Sequence, residues 1–206
     1  MEKLFNAMIS LDDYLKLDRC PHCLIDKPNL RNIFSDFQTT SDDGKIQRNW
    51  RAYVCARCGG VITAYCTPHE RIVRKIFPTP ETVDAVLPEK VRNYLQQAIE
   101  STFAPAGSVM LCASAVDAML KEKGFIEGNL FSRINKAVSD GLLTKEMATW
   151  AHQVRLEAND QRHADIEKEL PTIEEAKQSI EFTRTLAEFL FVLPQKVTRG
   201  IEATKQ

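Results

Sequence analysis

A run of 18 or more apolar residues is absent from this 206-residue sequence, so no helix is expected to span a membrane. The first ten residues carry Glu2 and Lys3 in a broken apolar stretch, which is not the pattern of a secretory signal peptide. We therefore expect a cytoplasmic protein. Thiols stay reduced there, and closely spaced cysteines are metal ligands more often than disulfides.

A strong excess of charge is also missing, because the formal net charge is −1 at pH 7. This balance argues against a protein coated with positive charge for nucleic acid. The charge is uneven, however: residues 16–75 hold 11 Lys/Arg and 6 Asp/Glu, whereas residues 76–206 hold 15 and 19. A small module can be basic without binding anything, so an anionic partner for the N-terminal part is one of two interpretations.

The residue pattern predicts an α+β chain in two parts. In residues 1–77, strands are expected over Asn32–Thr39, Trp50–Val54 and Val61–Tyr65, with a turn signal at Ser41-Asp42-Asp43-Gly44. Together they are expected to form a small antiparallel sheet with Cys20, Cys23, Cys55 and Cys58 at its corners, which is the pattern of a zinc-ribbon-like module. The stretch Pro78-Thr79-Pro80 is expected to be a stiff connector, because prolines cannot continue a helix.

Residues 78–206 show helical spacing of apolar residues. Helices are expected to run from Pro88 to about Ile99, from about Ala106 to Lys123, over Leu130–Ser139, from a cap at Thr144 to an end between about Asn159 and Ala164, and from Pro171 to about Val192. Four principal amphipathic helices with short connections predict an antiparallel four-helix bundle.

Two Cys-x-x-Cys pairs, Cys20/Cys23 and Cys55/Cys58, predict a metal site. Each pair lets two sulfurs of one tight turn reach one ion, and two such turns complete a tetrahedron. The predicted hairpin fills the long gap between the pairs, and Gly59-Gly60 supplies residues that tolerate positive φ. A closed shell of four sulfurs predicts one structural zinc ion per chain.

Three other side chains compete for a metal role. Cys66 and His69 form a Cys-x-x-His pair that could replace one cysteine or bind a second ion. His22 lies inside the first pair and is interpreted as an exposed turn residue. Cys112 lies on an apolar helix face, which predicts a buried core thiol.

A polar stripe follows the predicted helix after Thr144. Arg155, Asn159 and His163 are spaced i, i+4, i+8 and lie within about 80° of one face, with His152 at its edge. One interpretation is a buried hydrogen-bond network that fixes the packing of helices or subunits. The other is a phosphate or ribose site, with Arg155 as the anion anchor and His163 as proton donor or acceptor. The spacing favours the first.

A series of landmarks runs over roughly residues 18–194: Leu87-Pro88-Glu89, Tyr94, Ala98, Val109-Met110-Leu111, Leu120 to Gly124, Arg155, Asn159, and His163-Ala164. In this order they resemble a bacterial family of unknown function within the HEPN superfamily of nucleotide-binding helical bundles. Similar domains accompany type I restriction subunits and other defence genes, and stand-alone members often carry an N-terminal zinc ribbon. The resemblance implies a HEPN-like bundle.

Some HEPN domains are metal-independent RNA endonucleases with a closely spaced Arg and His on one helix, paired across a dimer. Here seven residues separate Arg155 from His163, and Cys112 and Asp117 stand where the family commonly has arginine and glutamate. We therefore expect a non-enzymatic binding or interaction module, an accessory protein of bacterial defence or nucleic-acid metabolism. The alternative is an RNase that uses Arg155, His163 and Asn159.

The expected partners are a second copy of the chain and a nucleic acid, nucleotide or protein. The homodimer is expected on the helical domain, because the apolar stripe of the second helix is wide enough for both a core and an interface.

Overall fold

The computed structural model describes residues 9–34, 36–79, 83–163 and 169–204. The chain separates into two compact units, Met1–Glu81 and Thr82–Gln206. Strands lie in the first and helices in the second, so the protein is of mixed α+β class with an N-terminal antiparallel sheet. Ala164, one of the family landmarks, and Pro80, in the predicted connector, fall outside the described residues.

The first unit is built on one antiparallel sheet with the strand order β1-β3-β4-β5, in which β2 also pairs with β3. The strands are β1 (Leu30–Asn32), β2 (Phe37–Thr40), β3 (Gln47–Cys55), β4 (Val61–Cys66) and β5 (Lys75–Phe77). The long central strand β3 carries both β1 and β2 along one edge.

Side chains alternate between two faces of this sheet, as the period of a strand requires. The inner face holds a core of buried residues: Leu11, Leu15, Cys20, Leu30, Tyr53, Cys55, Ile62, Ala64 and Cys66. The buried guanidinium of Arg51 pairs there with Asp36 and Asp13, at 2.5 and 3.0 Å. The outer face carries aromatic side chains instead.

Two strand predictions need correction. The strand predicted over Asn32–Thr39 is divided into β1 and β2, because the Asn32 carboxamide accepts a hydrogen bond from the backbone N–H of Phe34 and turns the chain. The short strand β5 was not predicted. It has only three residues and is followed by Pro78, which cannot donate to a sheet.

The second unit contains six α-helices in its described part. They are α1 (Glu89–Glu100), α2 (Pro105–Glu122), α3 (Leu130–Ser139), α4 (Lys145–His163), α5 (Ile173–Ala187) and α6 (Leu193–Ala203). Helix α2 packs against α1, α4 and α5, and α3 packs against α4. Most of the apolar stripe of α2 is therefore buried within the unit.

Side-chain caps account for several helix starts. Thr144 Oγ1 accepts from Met147 N–H, as predicted, and Thr172 forms a reciprocal capping box with Glu175. The predicted end near Val192 is wrong. A π-helical segment, Glu188–Val192, passes into α6, and Pro194 lies in the first turn of α6.

None of the helices within the described ranges combines the length and the apolar content that crossing a bilayer requires.

Candidate metal centre and a basic cleft

Two turns of the first unit bring four sulfurs together. Cys20 and Cys23 lie on the turn before β1, and Cys55 and Cys58 lie at the β3–β4 turn. All four Sγ atoms are within 4.8 Å of one another. The Sγ atoms of Cys20 and Cys58 are 3.9 Å apart, close to the roughly 3.8 Å between ligands of a tetrahedral zinc–thiolate site with 2.3 Å bonds. The residues therefore fit a metal ion.

Backbone N–H groups turn toward these sulfurs. The N–H of His22 points to Cys20 Sγ and that of Gly60 to Cys58 Sγ, each at 3.4 Å. Gly59 has a φ of +72°, so the positive φ expected after Cys58 is found there. These N–H groups favour negative charge on sulfur, and a metal ligand must be the thiolate.

Burial divides the four cysteines into two pairs. Cys20 and Cys55 are buried against the sheet core, whereas Cys23 and Cys58 face solvent. Burial raises the pKa of Cys20 to about 12. Burial also acts to raise the pKa of Cys55, but hydrogen bonds from the N–H groups of Cys58 and Arg57 and from the side chains of Cys20 and Cys58 together bring this pKa to about 7.

The competing metal ligands lie elsewhere. Among the described residues, the one group of potential ligand atoms close enough for a shared ion contains neither Cys66 nor His69. Cys66 points into the inner face of the sheet and His69 is exposed. His22 is an exposed turn residue, as predicted, and its imidazole Nε2 is 2.9 Å from the carbonyl oxygen of Val61.

The polar stripe lies on α4, but its members have different surroundings. His152 Nε2 is 3.1 Å from Asn135 Oδ1, and the Arg155 guanidinium lies over the Phe131 ring, 5.3 Å from its centroid. Asn159 and His163 are exposed. In the part of the chain that the structure describes, no hydrogen bond joins Arg155, Asn159 and His163 to one another. The stripe is a row of neighbours, not one network.

Unpaired nitrogens remain along this stripe. Arg155 Nε and His152 Nδ1 are buried without a hydrogen-bond partner. Burial lowers the pKa of His152, and the charge of Arg155 lowers it further. His152 is therefore a neutral imidazole near pH 7, held between α4 and α3.

Arg155 and Asn159 line a small cavity of about 200 Å³ between α2, α3 and α4, together with Phe131 and Arg162. A second cavity of about 330 Å³ adjoins it, since both are lined by Ala113, Asn129, Leu130 and Arg162. His152 and His163 line neither of them.

The second cavity, named here the basic cleft, is lined by four cations and one carboxylate. The charged residues are Lys90, Lys121, Arg133, Arg162 and Asp117, and Tyr94, Ser114 and Asn129 add polar groups. Asp117 accepts from Lys121 Nζ and Arg133 Nη1, each at 2.6 Å. Lys90 and Arg162 have no ion-pair partner within the described ranges. The basic cleft therefore has an excess of positive charge.

Arg133 also holds the fold together. Its Nη2 donates to the carbonyl oxygens of Ile126 and Gly128, at 3.0 and 2.5 Å, and its side chain is only 10% exposed. It ties the loop before α3 to Asp117 on α2. Arg133 thus shapes the cleft, whereas Lys90 and Arg162 are the cations that a ligand can reach.

Sequence analysis missed most of the basic cleft. Tyr94 and Lys121 fall among the family landmarks, Asp117 is one of the departures from the family pattern, and Lys90, Arg133 and Arg162 were not predicted to belong to a site. One signal was present: Asp117 and Lys121 form an i, i+4 pair on a helix that is otherwise mostly apolar. The convergence of residues from four helices has no local signal.

Cys112, by contrast, is the predicted core thiol. It is fully buried on α2, and burial raises its pKa to about 12. It takes no part in the basic cleft.

No curated protein and no solved structure matches the chain. The family described as Domain of unknown function (DUF4145) matches residues 84–204, which cover the helices of the second unit and more than half of the sequence. The protein therefore belongs to this family.

Proposed function

We propose that this protein is a non-enzymatic binding module, in which a structural zinc ion stabilises the N-terminal sheet and the basic cleft of the helical unit binds a phosphate-bearing ligand. The observation that carries the proposal is the surplus of cations in the cleft. Four of them face a single carboxylate, and Lys90 and Arg162 have no partner within the described ranges.

The dimensions and the surroundings of the cleft support a phosphate group. A volume of about 330 Å³ is in the range of small-molecule sites, which start at about 300 Å³. Guanidinium and ammonium groups are the side chains that bind phosphate best. Beyond Lys90 the surface becomes acidic at Glu89 and Glu122, so the positive region has a definite edge.

Zinc is proposed because four thiolates in a closed tetrahedral shell suit this metal and leave no open position for catalysis. The zinc-ribbon character of the sheet, the HEPN-like character of the helical unit and a role in bacterial defence or nucleic-acid metabolism belong to the same proposal. Their support is the resemblance of the sequence landmarks, whereas the four-cysteine cluster supports the metal site alone.

The position of His163 favours binding over RNA cleavage. Arg155 and His163 are separated by about 12 Å along the axis of α4, at 1.5 Å per residue. Arg155 lines the smaller cavity, whereas His163 is exposed at the end of the helix. A general acid or base must lie within hydrogen-bond reach of the group that it protonates or deprotonates.

Calorimetric titration of the zinc-loaded protein with ADP tests the cleft. Arg162→Glu and Lys90→Glu should each weaken binding by about tenfold or more, because an ionic hydrogen bond contributes about 1.5–3 kcal/mol. Arg199→Glu is the matched control, since Arg199 is an exposed arginine on α6 with the same change in charge. Equal affinity in all four proteins, or no affinity in the wild type, would contradict the proposed cleft.

A further inference from the structure

An aromatic surface covers the outer face of the N-terminal sheet. The register places Phe37 opposite Trp50 and Trp50 opposite Tyr65, so three rings stand in one row across β2, β3 and β4. Phe77 on β5 lies beside this row, with its ring centroid 5.9 Å from that of Trp50. These four residues are called the aromatic face below.

Trp50 is the centre of the aromatic face. Its ring is nearly parallel to Phe37, with an interplanar angle of 7° and a centroid distance of 6.3 Å, and its centroid is 4.7 Å from that of Tyr65. The indole N–H donates to Thr39 Oγ1 at 2.8 Å, which fixes the plane of the ring. The rings are therefore held in place before any ligand arrives.

The aromatic face is open to solvent at both ends. Phe37 is 40% exposed and Phe77 is 37% exposed, while Trp50 and Tyr65 between them are half-buried. The opposite face of the same strands already supplies the core, with Tyr53, Ile62 and other buried residues. Large rings on a second face are thus not needed to close the core of the sheet.

Positive charge accompanies these rings. The Arg48 guanidinium lies over the Tyr65 ring and the Lys75 ammonium over the Phe77 ring, each 5.1 Å from the centroid. Arg31 stands on the same face, opposite Val54. The twelve strand positions of this face contain these three cations and no Asp or Glu. They are Arg31, Phe37, Thr39, Arg48, Trp50, Ala52, Val54, Val61, Thr63, Tyr65, Lys75 and Phe77.

We propose that the aromatic face binds single-stranded nucleic acid. Bases stack on aromatic side chains, while lysine and arginine beside the rings take the phosphates, and a single strand offers both groups at once. A duplex hides the faces of its bases, so it can use only the cations. An acidic peptide would be attracted by the same charges but would gain less from a row of flat rings.

This surface is distinct from the basic cleft. It lies on the first unit and consists of strand residues, whereas the cleft lies between helices of the second unit. Residues 16–75 contain more Lys and Arg than Asp and Glu, and the composition did not show whether this excess binds an anionic partner. In this proposal the partner is a single-stranded nucleic acid. The two proposals can fail separately.

The experiment measures binding of oligodeoxythymidylate to the full-length, zinc-loaded protein. An oligonucleotide of about 12 nucleotides is suitable, because one single-strand-binding domain covers about 4–16. Fluorescence anisotropy gives the affinity. In a Trp150→Phe background, Trp50 is the one remaining tryptophan, and a stacked base should quench its emission.

Phe37→Ala should weaken binding by about 5- to 140-fold, since stacking on one ring contributes about 1–3 kcal/mol per base. Lys75→Gln should reduce the slope of log affinity against log salt by about 0.7. Two matched controls should bind as the wild type does: Phe103→Ala, an exposed phenylalanine of the helical unit, and Lys145→Gln, an exposed lysine of the same unit.

Several results would overturn this proposal. One is wild-type affinity in Phe37→Ala and Lys75→Gln, and another is binding that leaves Trp50 fluorescence unchanged. Equal affinity for a duplex of the same length would mean that the bases do not stack on the rings. Conversion of a dimer to a monomer by Phe37→Ala, without loss of oligonucleotide binding, would assign the face to self-association.

Retention of oligonucleotide binding in Arg162→Glu would support the proposal, because it would show that the aromatic face binds without the basic cleft.

Discussion

The imidazole of His22 joins the two cysteine turns, because its Nε2–H donates to the carbonyl oxygen of Val61 at 2.9 Å. The ring also lies against Gly60, where a Cβ atom would be 2.4 Å from His22 Cδ2. Gly60 is therefore required by close approach of a side chain, in contrast to Gly59, which is required by its positive φ. Glycine is thus required at these two adjacent positions for different physical reasons.

This contact predicts that substitutions of His22 and Gly60 have non-additive effects on the free energy of unfolding. Gly60→Ala should displace the His22 ring and lower the free energy of unfolding by about 0.5–1.5 kcal/mol, the contribution of one hydrogen bond. His22→Ala should cost about the same. In the double variant the two costs should not add, because both remove one interaction. Denaturant unfolding of the zinc-loaded proteins measures this, and fully additive costs would contradict the contact.

Metal analysis should find about one zinc per chain, bound by Cys20, Cys23, Cys55 and Cys58. Cys23→Ser should lose the metal and unfold the sheet, since the binding energy of such sites is largely folding energy. Cys66→Ala is the control: it removes a buried thiol outside the cluster and should keep the metal. Less than half an equivalent of zinc in a folded wild-type protein would disprove the site.

His163→Ala distinguishes a binding module from an RNase. His163 is exposed and lines neither cavity, so we expect the free energy of unfolding to change by less than about 0.5 kcal/mol. A buried network, as the spacing favoured, would instead make the change cost about 1–3 kcal/mol. We expect no metal-independent cleavage of single-stranded RNA by either protein. Cleavage by the wild type that is lost in a stable variant would establish the RNase.

His152 should make stability depend on pH. Burial and the charge of Arg155 lower its pKa in the folded protein from an ordinary value of 6.5, so the unfolded chain binds the proton more readily. The contribution of His152 to the free energy of unfolding is therefore fully present above pH 6.5 and is lost as the pH falls below 6.5. The free energy of unfolding should therefore fall more steeply in the wild type than in His152→Gln between about pH 6.5 and pH 5. Parallel curves would contradict the assignment.

The homodimer stays a prediction, but the predicted interface moves from α2 to α6. The stripe of α2 is mostly buried against α1, α4 and α5, so it has little surface left for a partner. Leu193, Val197 and Ile201 form an exposed apolar row on α6, at i, i+4 and i+8. Light scattering at micromolar concentration should give about twice the 23.4 kDa chain mass, and Val197→Asp should halve it. A monomeric wild type would exclude this interface.

Local chemistry is what the sequence could predict. The cysteine spacing predicted the four-cysteine cluster, because two cysteines three residues apart on one turn can reach the same ion. The cap at Thr144 and the stripe on α4 also depend on neighbours a few residues away. The break between β1 and β2 and the continuation through Pro194 were missed, because each depends on one local hydrogen bond or π turn that periodicity does not reveal.

The sequence by itself determined the division into strands and helices, the four cysteines and the row Arg155, Asn159 and His163. Only the tertiary structure decided that Arg162 joins Lys90 and Lys121 in one cleft, and that Phe37, Trp50 and Tyr65 stand in one row. The reason is physical: helix packing and strand register bring together residues that are far apart along the chain. Neither is encoded in the spacing of the residues concerned.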